Sequence, residues 1–254
     1  MTEDRDPWYA NWFGEEYLAL YPHRDDEEAE FEAMFARELL APYAARGRIG
    51  FLDLACGTGR HAVTLGGSPR GVVGLDLSDH LLRVAQRRAE KPRPGFARAD
   101  MRQLPFRSGS FGAVVNFFTS FGYFEEQTDD LHVLHEVYRV LAPGGVFLSD
   151  FFNVERVLTT LASREEKTIA HERIHIRRHY DAKTRRIEKE IVMGAGSPNE
   201  RRHHEKVRAY RDDELRSLHG FAGFQVISSF GDFDGTPFDV LRSPRLILLA
   251  VKPA

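Results

Sequence analysis

Three aspartates each close a short apolar run: Asp53 after Ile49-Gly50-Phe51-Leu52, Asp76 after Val72-Val73-Gly74-Leu75, and Asp100 after Phe96-Ala97-Arg98-Ala99. Between the first two lies Cys56-Gly57-Thr58-Gly59. Gly57 and Gly59 let the backbone turn sharply and approach a ligand, and a helix opening just beyond them aims free N–H groups at it. A carboxylate at Asp76 can accept two hydrogen bonds from the vicinal hydroxyls of a ribose. The chemistry these residues describe is the binding of a nucleoside-bearing cofactor. Two other readings use the same glycines. Gly57-x-Gly59-x-x-Ala62 satisfies the relaxed dinucleotide fingerprint of dehydrogenases, and a tight strand-to-helix turn needs no ligand at all. Asp53 weighs against a pyrophosphate, which would avoid an acidic neighbour, and suits a cation such as an amino-acid ammonium.

Strands must deliver these residues and helices must follow them. Residues 49–55 read as a buried strand, a helix opens near Arg60, and residues 71–76 form a second strand. Ser78 is an N-cap candidate for a helix over residues 79–90. Residues 95–99 and 111–117 give a third and fourth strand. An amphipathic helix over 129–141, stopped by Pro143-Gly144-Gly145, leads to a fifth strand over 146–152. Strands alternating with helices predict an α/β fold, a doubly wound and mostly parallel Rossmann-like sheet.

Both flanks depart from that rhythm. Residues 8–40 are aromatic and helical in period, with Trp12, Tyr17, Tyr21, Phe31 and Phe35. Beyond Asn153, Ile174, Ile176, Ile187, Ile191 and Met193 fall in period-two stretches separated by Asp181-Ala182-Lys183 and by residues 194–199. Two or three antiparallel strands are expected there, inserted before a last helix over 211–218, with Asp212 as N-cap candidate and Gly220 as stop. A final hairpin over 224–230 and 245–252 returns to the sheet. The expected organisation is an N-terminal helical cap over 1–46, a core over 47–153 and 211–254, and an antiparallel β insertion over 154–210.

Composition narrows the class. The 254 residues carry 35 Lys+Arg and 38 Asp+Glu, a net charge of −3, with 42% hydrophobic and 11% aromatic residues, as in an ordinary globular enzyme. That length suits one large α/β domain or two small ones. The acidic opening Met1-Thr2-Glu3-Asp4-Arg5-Asp6 lacks the pattern of a signal peptide, and no apolar run reaches the ~18 residues of a membrane span. A cytoplasmic location without membrane contact is the expectation. Cys56 is the only cysteine, so neither an intramolecular disulfide nor a cysteine zinc cage can form. Charge is uneven: residues 1–32 hold eleven acidic and two basic side chains, whereas 171–211 hold twelve basic, six acidic and five histidines. A solvated hairpin surface accounts for the basic segment better than a nucleic-acid face does.

The order and spacing of five segments carry a resemblance: Asp53 to Gly59, Asp76-Leu77, Ala99-Asp100-Met101, the 111–117 strand, and Leu141-Ala142-Pro143-Gly144-Gly145. Over residues 49–152, and again in the last strands, the chain resembles the class I S-adenosylmethionine-dependent methyltransferases, and more narrowly small-molecule members such as the deoxysugar N,N-dimethyltransferases and, more loosely, glycine N-methyltransferase. The resemblance implies S-adenosyl-L-methionine as cofactor and S-adenosyl-L-homocysteine as product. By the family pattern, Asp53 reaches the methionyl amino group, often through water, while Ala55, Gly57 and Gly59 frame the cofactor. Asp76 binds the ribose hydroxyls, Leu77 packs on adenine, Asp100 takes the exocyclic amine, and the Met101 backbone addresses the ring edge. The Asn116 and Phe117 carbonyls meet the ammonium. A core role for Leu77 and Met101 is the lesser alternative. Tyr17, Tyr21, His23 and Arg24 are lid candidates, with Tyr21 and Arg24 placed against the cofactor.

For the methyl acceptor the telling tract is Asn116-Phe117-Phe118-Thr119-Ser120-Phe121-Gly122-Tyr123-Phe124. It is not the Asn/Asp-Pro-Pro-Tyr/Phe signature of nucleobase amine methylation, and Cys56 stands in the glycine loop rather than where cytosine C5 chemistry would need it. An aromatic pocket for a small molecule, methylated on N or O, is the expectation. Tyr123 stands where the resembling sugar enzymes carry a histidine; its phenol can orient or deprotonate a nucleophile. Arg60 and His61 are assigned packing or surface roles. His171, His175 and His179 are four apart, about 13 Å along a strand, too far to share a zinc, so no metal is expected. The insertion is expected to cover the site or to pair with a second subunit. An RNA methyltransferase using residues 171–211, and a non-catalytic cofactor-binding partner protein, are the alternatives.

Overall fold

The computed structural model describes residues 7–21, 26–89 and 94–254. Its centre is a seven-stranded sheet in the order β10-β11-β5-β4-β1-β2-β3. β1 (Ile49–Leu54), β2 (Val72–Asp76) and β3 (Gly95–Arg98) run outward on one side, and β4 (Phe111–Asn116) and β5 (Leu141–Phe152) on the other. These five are parallel; β11 (Arg245–Val251) is antiparallel both to β5 and to β10 (Gln225–Phe230). The chain reverses its direction of strand addition between β1 and β4, and ligands of open α/β sheets bind outside the carboxyl ends at such a point.

The central strands are near-continuous apolar runs because both faces are covered. One face packs α6 (Gln127–Val140) and α8 (Asp212–Phe221) through Leu134, Val137, Phe147 and Leu218; the other packs α3 (Asp26–Ala44) and α4 (Arg60–Leu65) through Ala33, Ala36, Phe51, Ala62 and Val115. Alanines along α3 let it lie close to the sheet. α5 (Asp79–Arg88) is capped as expected: Ser78 Oγ accepts from the Leu81 N–H at 3.2 Å.

A second sheet, β6-β7-β8-β9, is fully antiparallel, with β6 (Arg164–Ile169), β7 (Glu172–Asp181), β8 (Arg186–Met193) and β9 (Arg201–Arg208). α7 (Val154–Thr160) leads into it. Four strands form where two or three were expected. β6, Arg-Glu-Glu-Lys-Thr-Ile, alternates in burial but is charged on most positions, so it carries little apolar signal. The inward face of this sheet (Ile174, Ile176, Ile191, Met193) does not rest on the core. It packs on α1 (Trp8–Trp12) and α2 (Glu15–Leu20) through Trp12 and Leu20. The expected cap over residues 1–46 thus has two allegiances, α1 and α2 to the second sheet and α3 to the first.

Two punctuation signals act differently from expectation. Pro143-Gly144-Gly145 does not stop α6, which ends at Val140; the three residues lie inside β5, where the register with β4 jumps from Phe111↔Leu141 to Ala113↔Val146. Gly220 lies within α8, and Gly223, at φ +94°, makes the turn beyond it. That helix begins at Asp212 itself, with the Glu214 carboxylate accepting from the Arg211 N–H at 3.0 Å.

Candidate active site

A cavity opens at the carboxyl ends of β1, β2 and β4, between the seven-stranded sheet and the α1–α2 pair. Its floor begins at the turn after β1. Ala55 and Gly57 take left-handed backbone, and Gly59, at φ +73°, is the N-cap of α4. A Cβ at Gly59 would stand 2.9 Å from the Ala85 Cβ and 3.1 Å from the Phe96 ring, so close packing of the loop on α5 and β3 demands glycine here. Asp76 braces the same loop: its Oδ2 accepts from the Gly57 N–H and its Oδ1 from the Ser78 N–H, both at 2.8 Å. Burial raises the Asp76 pKa, and these N–H donors oppose the rise.

Asp53 lies deeper. It is 1% exposed, and burial, reinforced by the Asp76 charge, pushes its pKa up to about 8. The Ala62 N–H opposes that rise, while Oδ2 has no hydrogen-bond partner among the described residues. An orphaned carboxylate oxygen behind a ligand loop suits a cation or a water-bridged ammonium. Asp100 is held differently: burial would raise it, but four hydrogen bonds from the Arg102 side chain and backbone N–H win and keep it below the usual carboxylate range.

Opposite this floor stands an aromatic wall. Tyr123 lies edge-on to Trp8 at 4.9 Å between centroids and is stacked with Phe13 at 5.9 Å; Tyr9 meets Phe124 edge-on at 5.4 Å. Between floor and wall runs Phe118-Thr119, two non-glycine residues at φ 58° and 55°. That strained tract is held by Asp150, whose carboxylate accepts from the Phe118 N–H at 2.8 Å and whose carbonyl accepts from the Thr119 N–H at 3.1 Å. Arg245 pairs with Asp150 and lies 5.1 Å from the Phe118 ring centroid. Backbone donors, a buried carboxylate and a strained loop after β4 thus stand together on one side of an aromatic-lined chamber.

The methyltransferase domain family matches residues 51–145, the segment that supplies this floor. That segment is similar to a methyltransferase domain, and the fold around it is shared with solved S-adenosylmethionine-dependent methyltransferases. The chain is similar to the putative methyltransferase YqeM of Bacillus subtilis, 36% identical over 127 residues, 48% of this chain and 51% of that protein. It is also similar to the glycine/sarcosine N-methyltransferase of Parasynechococcus marenigrum, 27% identical over 87% of this chain and 80% of that one. The sugar N-methyltransferase KedS8 from Streptoalloteichus shares the fold, with a TM-score of 0.69 at 20% identity, covering 95% of this chain and 94% of its own. The chain spans about half the length of several curated relatives it matches.

Within the matched segment, Ala55, Gly57, Asp76, Leu77, Asp100, Met101 and Phe117 line the cavity, as do Tyr123 and Tyr21. Three expected contacts do not. Asp53 is buried behind the loop, Gly59 is turned against Ala85 and Phe96, and Asn116 spends its amide on the Leu54 carbonyl at 2.8 Å. Arg24 and His23 lie outside the described residues.

His61 takes the packing role of the two expected. It is buried, stacked on Phe117 at 4.1 Å, and hydrogen-bonded through Nε2 to Glu32 at 2.8 Å. Burial drives the two apart, His61 down to about 3 and Glu32 up to about 7, so near neutrality the imidazole is uncharged and the contact is a hydrogen bond rather than an ion pair. Cys56 is buried too, and burial pushes its thiol well above the ordinary range.

Sequence reasoning missed Trp8, Tyr9 and Phe13 as lining residues, and Glu205 and Val207 on β9. The aromatics announced themselves by spacing. Glu205 had no signal: it lines the cavity only because β9 folds back over α1, where it accepts from Trp12 Nε1 at 2.8 Å and from the Tyr21 hydroxyl at 3.1 Å. Among the described residues no helix is long and apolar enough to cross a membrane, and no three His, Cys, Asp or Glu side chains stand together as metal ligands.

Proposed function

We propose that the chain transfers a methyl group from S-adenosylmethionine to a nitrogen or oxygen of a small molecule, leaving S-adenosylhomocysteine. The observation that carries this reading is Asp76, a buried carboxylate at the end of β2 that accepts from the Gly57 and Ser78 N–H groups and lines the cavity. Asp76 takes the ribose diol, Leu77 packs on the adenine, the Met101 backbone addresses the ring edge, and Asp100 accepts from its amine. Asp53 answers the methionyl ammonium through water, together with the Asn116 and Phe117 carbonyls. Tyr21 belongs to the cover, and residues 154–210 form its second layer.

The sulfonium supplies an already activated methyl group. The chain's task is to align the acceptor lone pair with the carbon–sulfur bond and to exclude water. The ring wall of Trp8, Tyr9, Phe13 and Tyr123 does both, and the Tyr123 phenol orients the nucleophile or receives its proton. An acceptor with an apolar body suits that wall better than a nucleic acid does, since the acidic α3 start (Asp26, Glu27, Glu28) would repel phosphates. A homodimer through the outer face of the second sheet belongs to the same proposal.

Calorimetric titration with S-adenosylmethionine, S-adenosylhomocysteine and NADH tests the reading. Binding of the first two with dissociation constants of about 1–100 μM, weakened about a hundredfold in Asp76→Ala by loss of charge-assisted diol contacts, is expected. Binding of NADH alone would overturn it. Radiolabelled methyl transfer to panels of amines and phenols then identifies the acceptor atom.

A further inference from the structure

The hydroxyl of Ser78 does two things at once. It accepts from the Leu81 N–H at 3.2 Å, capping α5, and it donates to the Phe13 carbonyl at 2.6 Å, sixty-five residues away in the chain. Its own N–H is bound to Asp76 Oδ1. One residue thus joins the carboxylate of the nucleoside subsite to the end of α1. Phe13 is in turn the ring stacked against Tyr123, and it lies 5.8 Å from Trp8. The other edge of the α1–α2 segment is fastened to the second sheet, where Trp12 and Tyr21 donate to Glu205. Glu16 pairs with Arg201 and His203 on β9 as well, so the second sheet holds the segment at several points, whereas the Ser78 hydroxyl ties it to the turn after β2.

We propose that Ser78 is a positioning residue that latches residues 8–21 over the cavity, so that the acceptor wall is complete only when the strand-to-helix turn at Asp76-Leu77-Ser78 is in its ligand-binding form. The cap keeps the Ser78 hydroxyl in one orientation in both states, because the Leu81 N–H holds the same oxygen. Movement of the turn when the diol engages Asp76 is transmitted along the Leu77–Ser78 backbone and across the Ser78 Oγ hydrogen bond to the Phe13 carbonyl. Cofactor binding then precedes and builds the acceptor chamber. The coupling rests on the cofactor reading above, whereas the latch itself is a feature of the protein alone.

Both tryptophans of the chain, Trp8 and Trp12, sit in α1, so tryptophan fluorescence, excited selectively over the eight tyrosines, reports this segment. Ser78→Gly removes the hydroxyl yet leaves an accepted N-cap residue, whereas Ser78→Thr retains both donor and acceptor. Acrylamide quenching of the ligand-free proteins and stopped-flow release of S-adenosylhomocysteine are the measurements. The glycine variant is expected to melt close to wild type, to be quenched more strongly, and to release S-adenosylhomocysteine about five- to tenfold faster, the worth of one hydrogen bond. The threonine variant should restore wild-type behaviour. Quenching of Ser78→Gly equal to wild type would overturn the latch. Stronger quenching with an unchanged release rate would overturn the coupling. A wild-type protein that binds no S-adenosylhomocysteine would overturn the cofactor reading and the coupling with it, while the quenching comparison would still decide the latch.

Discussion

The two halves of the cavity are built in opposite ways. The floor, from Ala55 to Met101, comes from one continuous stretch of β1–β2–β3 and its turns, each position fixed by parallel ladder bonds such as Asp53↔Gly74 and Asp76↔Arg98. The wall is assembled from segments far apart in sequence: 8–21, 117–124 and 205–207. Floor residues are positioned by their own strands. Wall residues are positioned by one another. A cofactor subsite made the first way can persist while acceptors change, because the wall can be rebuilt without touching a ladder bond.

If that division is right, damage to the wall's support should be large and should spare the floor. The support centres on buried Arg186 of β8, which donates to the carbonyls of Phe124 and Glu125 at 2.6 and 2.7 Å. Asp130 of α6 stands beside it, fully buried, accepting from Tyr210 at 2.6 Å and from the Gly122 N–H at 3.2 Å. The two clamp the loop on either side of Tyr123. Arg186→Met keeps much of the volume but leaves the Phe124 carbonyl without its donor and Asp130 with less compensating charge. A loss of about 2–3 kcal/mol is expected from urea unfolding, with S-adenosylhomocysteine affinity within about threefold of wild type. Equal damage to stability and to cofactor affinity would erase the distinction between the halves.

The floor has its own signature, in pH. With a folded pKa of about 8 against 3.8 for the free side chain, Asp53 favours its protonated form in the folded protein. Its contribution to stability is fully present below pH ~4 and is lost as pH rises through about 8. Ligand-free protein should therefore lose stability over that window, and Asp53→Asn should flatten the decline. A ligand ammonium near Asp53 would reverse the balance and expel the proton. Calorimetry at pH 7 in buffers of different ionisation enthalpy should then show proton release on binding S-adenosylhomocysteine, absent in Asp53→Asn. A stability profile with the same slope in both proteins would remove Asp53 from the account.

The same division explains what could be read from the residues alone. Asp53, Asp76, Gly57 and Gly59 were legible because strand alternation and tight turns are local, and the core strands announced themselves as apolar runs. The cap of α5 at Ser78 was legible for the same reason. The second role of Ser78 was not, since its acceptor on Phe13 is brought there only by packing. β6 escaped notice because both faces are charged, Arg164 and Glu166 outward and Glu165 and Lys167 inward, leaving Ile169 as its apolar residue. Pro143-Gly144-Gly145 misled because proline's missing N–H and glycine's backbone freedom interrupt a helix or a strand ladder alike. The neighbouring β4 decided which.

Glu205 offers the finest test of how the wall is held. Its Oε1 accepts from Trp12 and Tyr21, while Oε2 faces Lys189 at 3.4 Å, and Lys189 itself donates to the Tyr21 hydroxyl. Glu205→Gln keeps a carbonyl oxygen for the two donors and removes only the charge. Half-buried ion pairs contribute modestly because desolvation offsets attraction. Glu205→Gln is therefore expected to cost less than about 1 kcal/mol, with tryptophan quenching near wild type, whereas Glu205→Ala should free Trp12 and raise quenching clearly. Were the glutamine variant as exposed as the alanine one, the attachment would be ionic and would loosen with salt. The segment over the cavity would then answer to ionic strength as well as to its hydroxyl latch at Ser78.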